Sequence, residues 1–399
     1  MTGPQPSAPT TPRPSGHVLC VRLDSLGDVL LAGAAVRAVA GSASRVSMMV
    51  APGEAAAAAL LPGVDDVVTF EAAWVRFNPP PLDPAAVRRL VRALRRRRID
   101  AALIFTSFHQ SPLPMALLLR MAGVGWVGAI SEDYPGSLLD LRHRVADEIP
   151  EAERALSLAT AAGFQADADG ARLALRQPLP PPPGWLPKDA YVVLHPGAAV
   201  PSRRPSAATS RRFAEALAGA GWPVVVTGGP QEIDLTATVA GAAAAGGRRG
   251  RIVDAGSRLT LPDLASVLAG AEVVIAPNTG PAHLAAAVGT PVVALHAPVV
   301  AFEQWGPYGV PRVRLGDQTA PCRSSRARVC PVPGHVCLDS IRPDEVVHAV
   351  RTLAPQDSDQ PPDERQHDQQ RRTEQRRDSP PSRTADHPTA LRTPERLRP

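Results

Sequence analysis

Residues Glu272–Leu295, EVVIAPNTGPAHLAAAVGTPVVAL, read as strand, loop, helix, loop and strand. The β-branched run Val273-Val274-Ile275 is broken by Pro277-Asn278-Thr279-Gly280-Pro281. Pro281 suits a first helical turn, where a missing N–H leaves nothing unpaired. The helix is expected over His283–Val288, with Gly289 ending it and Pro291–Leu295 forming the next buried strand. In a parallel βαβ unit the first of these loops emerges at the carboxyl edge of the sheet, where open α/β sheets bind ligands. Thr279, the amides of Gly280–His283 and the positive end of the helix would then form an anion site. A turn that merely joins two core strands has the same sequence, and geometry alone favours neither reading.

The same alternation extends in both directions. Further strands are expected at Tyr191–Leu194, Pro223–Val226 and Arg251–Val253, with helices beginning near Ser210, Glu232, Leu261 and Pro281. Upstream, strands are read at His17–Leu23, Arg45–Val50, Asp66–Phe70, Asp100–Phe105 and Gly125–Ile130. Helices follow at 29–39, 85–98, 112–121 and 151–162. Strand–helix alternation at this spacing means α/β architecture with doubly wound parallel sheets. The Pro-rich stretch QPLPPPPGWLP separates two such units: residues 17–176, a stiff linker at 177–189, and residues 190–354. Residues 1–16 and 355–399 lack large apolar side chains in useful number and are expected to be disordered.

Composition narrows the function. A chain of 399 residues with 44% hydrophobic content has ample core. Lys188 is the only lysine, so any cation that meets an anionic ligand is expected to be arginine. Aromatics at 4% argue against stacking platforms for nucleic acid. The N-terminal stretch has no apolar h-region and no run reaches spanning length, so a cytoplasmic protein is expected. Helix 85–98 sets Val87, Leu90, Val91 and Leu94 against seven arginines. It reads first as a solvated outer helix, and second as a peripheral contact with the inner membrane surface.

In a parallel sheet all post-strand loops share one edge. In the second unit these are His195-Pro196-Gly197-Ala198-Ala199, Thr227–Glu232 and Asn278–His283. Each holds glycine, which lets backbone approach a ligand. As a set they describe a diphosphate cradle, with Glu232 for ribose hydroxyls and Arg203 or Arg204 for phosphate charge. Neither a G-x-G-x-x-G after the first strand nor a P-loop is present. In the first unit Asp28 starts a helix at the same kind of edge. It is either a base for a substrate hydroxyl or, the commoner case for such a residue, a plain helix-start aspartate. His109 follows another strand on that edge, and a solvated loop histidine is the commoner case there too. Cys322, Cys330, His335 and Cys337 share a loop region but match no C-x-x-C pair, so buried or loop thiols are expected rather than zinc.

At these residues the chain resembles glycosyltransferase family 9, the ADP-heptose:lipopolysaccharide heptosyltransferases. The matching stretches are VLCVRLDSLGDVLLAGAAVRAV, VVLHPGAA, VVVTGGPQE and APNTGPAHLAAAVGTPVVALHAP, followed by Gln304-Trp305-Gly306-Pro307. The resemblance implies a GT-B fold, two Rossmann-like domains facing a cleft, with the helix at 343–353 packing back near the first domain. It places Asp28 at the catalytic base. Donor binding falls to Ala198, Ala199, Arg203, Arg204, Glu232, Asn278, Thr279, Gly280, Pro281 and His283, and His109 lies on the acceptor side. Two departures stand out. The Trp of the Trp-Pro that usually follows the basic residue is missing from Ser202-Arg203-Arg204-Pro205-Ser206, and Asn278 stands where many members have Asp. The implied activity is inverting transfer of a sugar, heptose or related, from a nucleotide-diphosphate donor to a cell-envelope glycan or glycolipid. No metal or other cofactor is expected, because no D-x-D motif adjoins the cradle. A sugar-nucleotide epimerase and a non-catalytic nucleotide-binding scaffold are the alternatives.

Overall fold

Runs such as Val18-Leu19-Cys20-Val21 and Val192-Val193-Leu194 are buried at every position, which only strands covered on both faces tolerate. The computed structural model describes residues 16–75, 79–146, 148–241 and 251–354. Nearly all of the lead-in and all of the tail expected to be disordered lie outside those residues. The first unit runs β1 (His17–Val21), α1 (Leu26–Leu31), α2 (Gly33–Ala40), β2 (Arg45–Val50), α3 (Ala55–Leu60), β3 (Asp66–Thr69), α4 (Pro84–Arg97), β4 (Ala101–Ile104), α5 (Leu113–Met121), β5 (Trp126–Ile130), β6 (Leu141–His143) and α6 (Glu151–Ala161). The second runs β7 (Val192–Leu194), α7 (Ala207–Gly219), β8 (Val224–Val226), α8 (Ile233–Ala240), β9 (Ile252–Asp254), α9 (Leu261–Ala269), β10 (Val273–Pro277), α10 (Gly280–Ala287), β11 (Val292–Leu295), α11 (Phe302–Trp305), β12 (Arg312–Leu315), α12 (Val336–Asp339) and α13 (Pro343–Leu353).

Each unit builds a six-stranded sheet, ordered β3-β2-β1-β4-β5-β6 and β12-β11-β10-β7-β8-β9. Every pairing is parallel. Both therefore have the doubly wound order 3-2-1-4-5-6, with switch points between β1 and β4 and between β7 and β10. Two edge strands, β6 and β12, were not expected: β6 is three half-buried residues, and β12 alternates arginine with Val313 and Leu315. The first long helix is divided at Ala32 into α1 and α2. The donor-loop helix α10 begins at Gly280, with Pro281 in its first turn as expected.

One apolar cluster is continuous across the two units, from Val18 and Val29 to Leu284 and Ala294. It is joined where α1 meets α10 and α3 meets α9. The meeting of α1 with α10 depends on glycine. A β-carbon on Gly280 would lie 2.1 Å from Leu26 Cδ2, and one on Gly27 would lie 2.7 Å from His283 Cδ2. The linker also packs: Ser266 Oγ donates to Pro180 O at 2.7 Å, and the Arg258 guanidinium sits over the Trp185 ring.

One expectation is corrected. Helix α13 does not return to the first unit. Val346, Ala349 and Val350 pack with Phe213, Cys337 and Leu338, placing α13 on α7, β11 and β12, where it covers an otherwise open face of the second sheet. The segment that crosses back is Trp305–Val310. Tyr308 Oη donates to Glu153 of α6 at 2.7 Å, and Gly309 lies against Arg172.

The Gly280 contact is testable. Gly280→Ala should lower stability by about 1–3 kcal/mol through overpacking against Leu26. Leu26→Ala in the same chain should recover part of that loss in denaturant titration, and additive losses would mean the two helices do not meet there.

Candidate active site

Both switch points open toward one cleft. From β1 the chain leaves through Arg22-Leu23-Asp24-Ser25 into α1, and from β4 through Thr106–Gln110. Opposite stand the loop after β7 (His195–Ala199), the loop after β8, and Asn278-Thr279 leading into α10.

Arg22, 2% exposed, organises the first side. Its Nη2 lies 2.8 Å from Asp28 Oδ1 and 3.0 Å from Asp24 Oδ2, and its Nη1 lies 3.6 Å from Glu151 Oε2. Nη2 also donates to Ser107 Oγ at 2.9 Å, and Ser107 Oγ donates to Asp24 at 2.5 Å, which ties the β1 and β4 loops together. Arg154 backs the cluster, donating to Thr106 O at 2.6 Å and pairing with Glu151 at 3.5 Å. Asp28 occupies the third position of α1 and accepts from Ser25 Oγ at 2.6 Å and Ser25 N at 3.2 Å. Burial would raise its pKa, but Arg22, the two Ser25 donors and nearby His283 outweigh that and hold it below the ordinary carboxylate value. Asp24 and Glu151 move the other way, raised chiefly by burial against the pull of Arg22. Negative charge is thus concentrated on Asp28, 12% exposed at the cleft.

Buried polar atoms without a hydrogen-bond partner among the described residues occur on both sides: Arg22 Nε, Asp24 Oδ1 and Glu151 Oε2 on the first, and three more on the second. Buried His283 Nδ1, buried Asn278 Nδ2 and Arg203 Nε have no partner among the described residues. Unpaired buried donors and acceptors are uncommon, and three beside one helix N-terminus mark a place shaped for a polar ligand. Burial pulls the His283 imidazole down to about 4; Asp28 opposes the fall, and Arg203 and His296 add to it. Arg203 and Arg204 separate here. Arg203 lies within electrostatic reach of Asp28, Arg326 and Arg328, whereas Arg204 has no side-chain partner among the described residues. Ser202, buried between them and the loop at 326–328, fixes that outcome: its N–H donates to Arg328 O at 2.9 Å and its Oγ to Ala327 O.

Glu232 packs over Gly197, where a β-carbon would come within 1.9 Å of Oε1. Its Oε2 accepts from Gly229 N at 2.9 Å and lies 3.8 Å from His195 Nε2. Ala198 is buried and Ala199 exposed at the loop tip. Thr279 caps α10 with extended backbone, and Gly280 and Pro281 form its first turn. His109 does not join the Asp28 cluster. It is exposed, with its ring edge-on to Phe108. Phe108 in turn lies under Arg326 of the other unit, 5.2 Å from ring centre to guanidinium.

Sequence reasoning missed Arg22, Ser107, Glu151, Arg154 and Arg326. A charged residue directly ending the apolar run VLCV was a legible signal for Arg22. Nothing local marks Glu151, 129 positions away. Cys322, Cys330 and Cys337 are free thiols, the first and last buried, and burial beside the other two sulfurs pushes Cys337 up to about 12. His335 instead contacts Ser202 O at 3.1 Å. Among the described residues no group of three or more His, Cys, Asp or Glu is placed to hold a metal ion.

Comparison with known proteins places this geometry. The profile described as glycosyltransferase family 9 (heptosyltransferase) matches residues 87–335. No curated protein sequence matches the chain. Among solved structures, ADP-heptose lps heptosyltransferase II of E. coli aligns at TM-score 0.65 and 18% identity, covering 84% of this chain and 98% of that one. A family 9 glycosyl transferase from Veillonella parvula DSM 2008 aligns at 0.68 and 17%, covering 84% and 96%. The E. coli heptosyltransferase WaaC with ADP-2-deoxy-2-fluoro heptose aligns at 0.60 and 20%, covering 85% and 100%. At such identities the likeness shows the fold, which is GT-B.

The buried imidazole gives a signed prediction. An imidazole in the unfolded chain titrates at its ordinary value near 6.5, whereas burial pulls His283 down to about 4 in the folded chain, so between those values the unfolded chain binds a proton that the folded chain refuses. Stability should fall as pH drops through that window, with a share of roughly 2–3 kcal/mol from this one group. In denaturant titrations above and within the window, His283→Gln should lose less on acidification than the native protein. An equal loss would mean His283 is not the neutral buried group.

Proposed function

The chain belongs to glycosyltransferase family 9, and we propose that it transfers a sugar with inversion from a nucleotide-diphosphate donor to a cell-envelope glycan or glycolipid. A glycosyltransferase with this fold and no catalytic metal must supply the base and the leaving-group charge from its own residues. The observation that carries the reading is the opposition of one ionised carboxylate, Asp28, to a helix N-terminus beside three unpaired polar atoms. The solved relatives named for ADP-heptose support a donor of that kind, heptose or a related sugar on ADP.

In this mechanism the acceptor hydroxyl approaches the anomeric carbon from the Asp28 side. As its oxygen forms the new C–O bond, its proton passes to an Asp28 carboxylate oxygen. The bond from the anomeric carbon to the β-phosphate oxygen breaks, and the nucleoside diphosphate leaves with that electron pair. Arg203, the amides at Thr279–His283 and the positive end of α10 stabilise the developing phosphate charge. Asn278 Nδ2 and His283 Nδ1 are the further contacts assigned to the donor, and Glu232 receives the ribose hydroxyls beside Gly197. Ala198, Ala199, Gly280 and Pro281 contribute backbone and clearance. We assign no metal: the three carboxylates of the first side already surround Arg22, and Arg203 supplies the counter-charge.

Thermal shift against ADP, GDP, UDP and dTDP tests the donor half. One nucleotide at about a hundred times its dissociation constant should stabilise by about 2.7 kcal/mol. The shift should be lost in Glu232→Ala and Thr279→Ala, and no shift with any nucleotide would sink the reading. Asp28→Asn should keep that shift while reducing transfer by roughly 10²–10⁴-fold. A variant that unfolds instead would show Asp28 to be a helix-cap residue first.

A further inference from the structure

We propose that the α4–α5 face of the first domain docks the protein on an anionic lipid bilayer. It rests on the transfer reading only in that a lipid-borne acceptor would give the enzyme reason to be there.

Charge is the first observation. Residues 84–131 hold eight arginines and a single acid, Asp100. On α4, Arg88, Arg92, Arg95 and Arg96 form an exposed stripe opposite the buried Leu90, Val91 and Leu94. The arginines that do find carboxylates lie off this stripe: Arg89 with Asp83, Arg97 with Asp66 and, on α5, Arg120 with Asp140. Arg92 and Arg96 have no ion pair among the described residues. A solvated outer helix ordinarily intersperses acids among its bases; α4 carries none.

Apolar exposure next to that charge is the second. Helix α5 shows Leu117 at 48% and Met121 at 50%, four residues apart and so on one face. The two stripes adjoin, because Arg95 Nη2 donates to Met121 O at 2.7 Å. Leu82, 58% exposed, stands just before α4. Tyr134, 85% exposed, projects from a loop held to the start of α5 by the Ser111–Asp133 hydrogen bond at 2.7 Å. Water gains nothing from a line of exposed Leu, Met and Tyr beside unpaired guanidiniums. A bilayer interface takes the apolar groups into its acyl boundary and the arginines among its phosphates. A nucleic acid would use the charge and leave Leu117 and Met121 without a role.

Position is the third. Helix α5 begins at the carboxyl edge of β4, the edge that carries Ser107 and faces Asp28. A surface running along α5 therefore reaches the mouth of the cleft, where an acceptor anchored in the same bilayer would enter.

Flotation of the full chain with phosphatidylcholine vesicles, with and without phosphatidylglycerol, tests the proposal. Binding is expected only to the anionic vesicles and should be released by salt. Arg92→Glu with Arg96→Glu should weaken it by roughly tenfold or more, and Leu117→Ser with Met121→Ser should weaken it without changing its salt dependence. All variants should keep the native melting temperature and nucleotide shift, which separates this result from the donor reading. Equal binding to neutral vesicles, insensitivity to the charge reversal, or retention on RNA without retention on vesicles would each overturn the assignment.

Discussion

Everything in the cleft depends on two helix N-termini meeting nearly head to head. Helix α1 leaves β1 and α10 leaves β10, each from the carboxyl edge of its sheet, so both positive ends point into the same gap. Leu26 against Gly280 and Gly27 against His283 let the backbones approach as closely as they do. Such an arrangement is electrostatically unbalanced by construction, and Arg203 adds to the excess of positive character. Asp28 offsets part of it from one side. The proposed donor, a sugar diphosphate, would match the remainder with its two phosphates.

The buried charges beneath Asp28 extend the same logic. Two arginines, Arg22 and Arg154, face three carboxylates, Asp24, Asp28 and Glu151. Burying such a group is a poor route to stability, since the desolvation of each ion offsets most of the attraction. Its effect is to decide where the surplus negative charge sits. Burial pushes Asp24 and Glu151 toward the protonated form, while Asp28 has the closest Arg22 contact and the Ser25 donors. The network thereby delivers an anion to the one carboxylate that faces the cleft.

How much of this was legible in the chain follows from the range of the interactions involved. The strand–helix alternation and glycine-bearing loops are local, and they yielded both doubly wound sheets, the switch-point loops and the position of Asp28. Strands β6 and β12 escaped because they are short, half-exposed edges whose pairing is decided by β5 and β11. The choice of Arg203 over Arg204 also escaped, since it turns on Ser202 being pinned by residues 327 and 328, more than a hundred positions later. The packing of α13 was misplaced because its Val346, Ala349 and Val350 stripe fits any apolar face; only the uncovered side of the second sheet selects among them.

On the proposed role of Asp28 as the base, its lowered pKa bears on the chemistry as well as on the charge balance. A carboxylate held below its ordinary value is a weak base and will not remove a proton from a free sugar hydroxyl in advance of reaction. The acceptor oxygen must first begin bonding to the anomeric carbon, which lowers its own proton affinity until Asp28 can accept. Such an order requires the leaving diphosphate to depart early, and the positive end of α10 with Arg203 is placed to favour that departure. The surroundings that weaken the base are therefore matched to a displacement in which bond breaking leads and proton transfer follows.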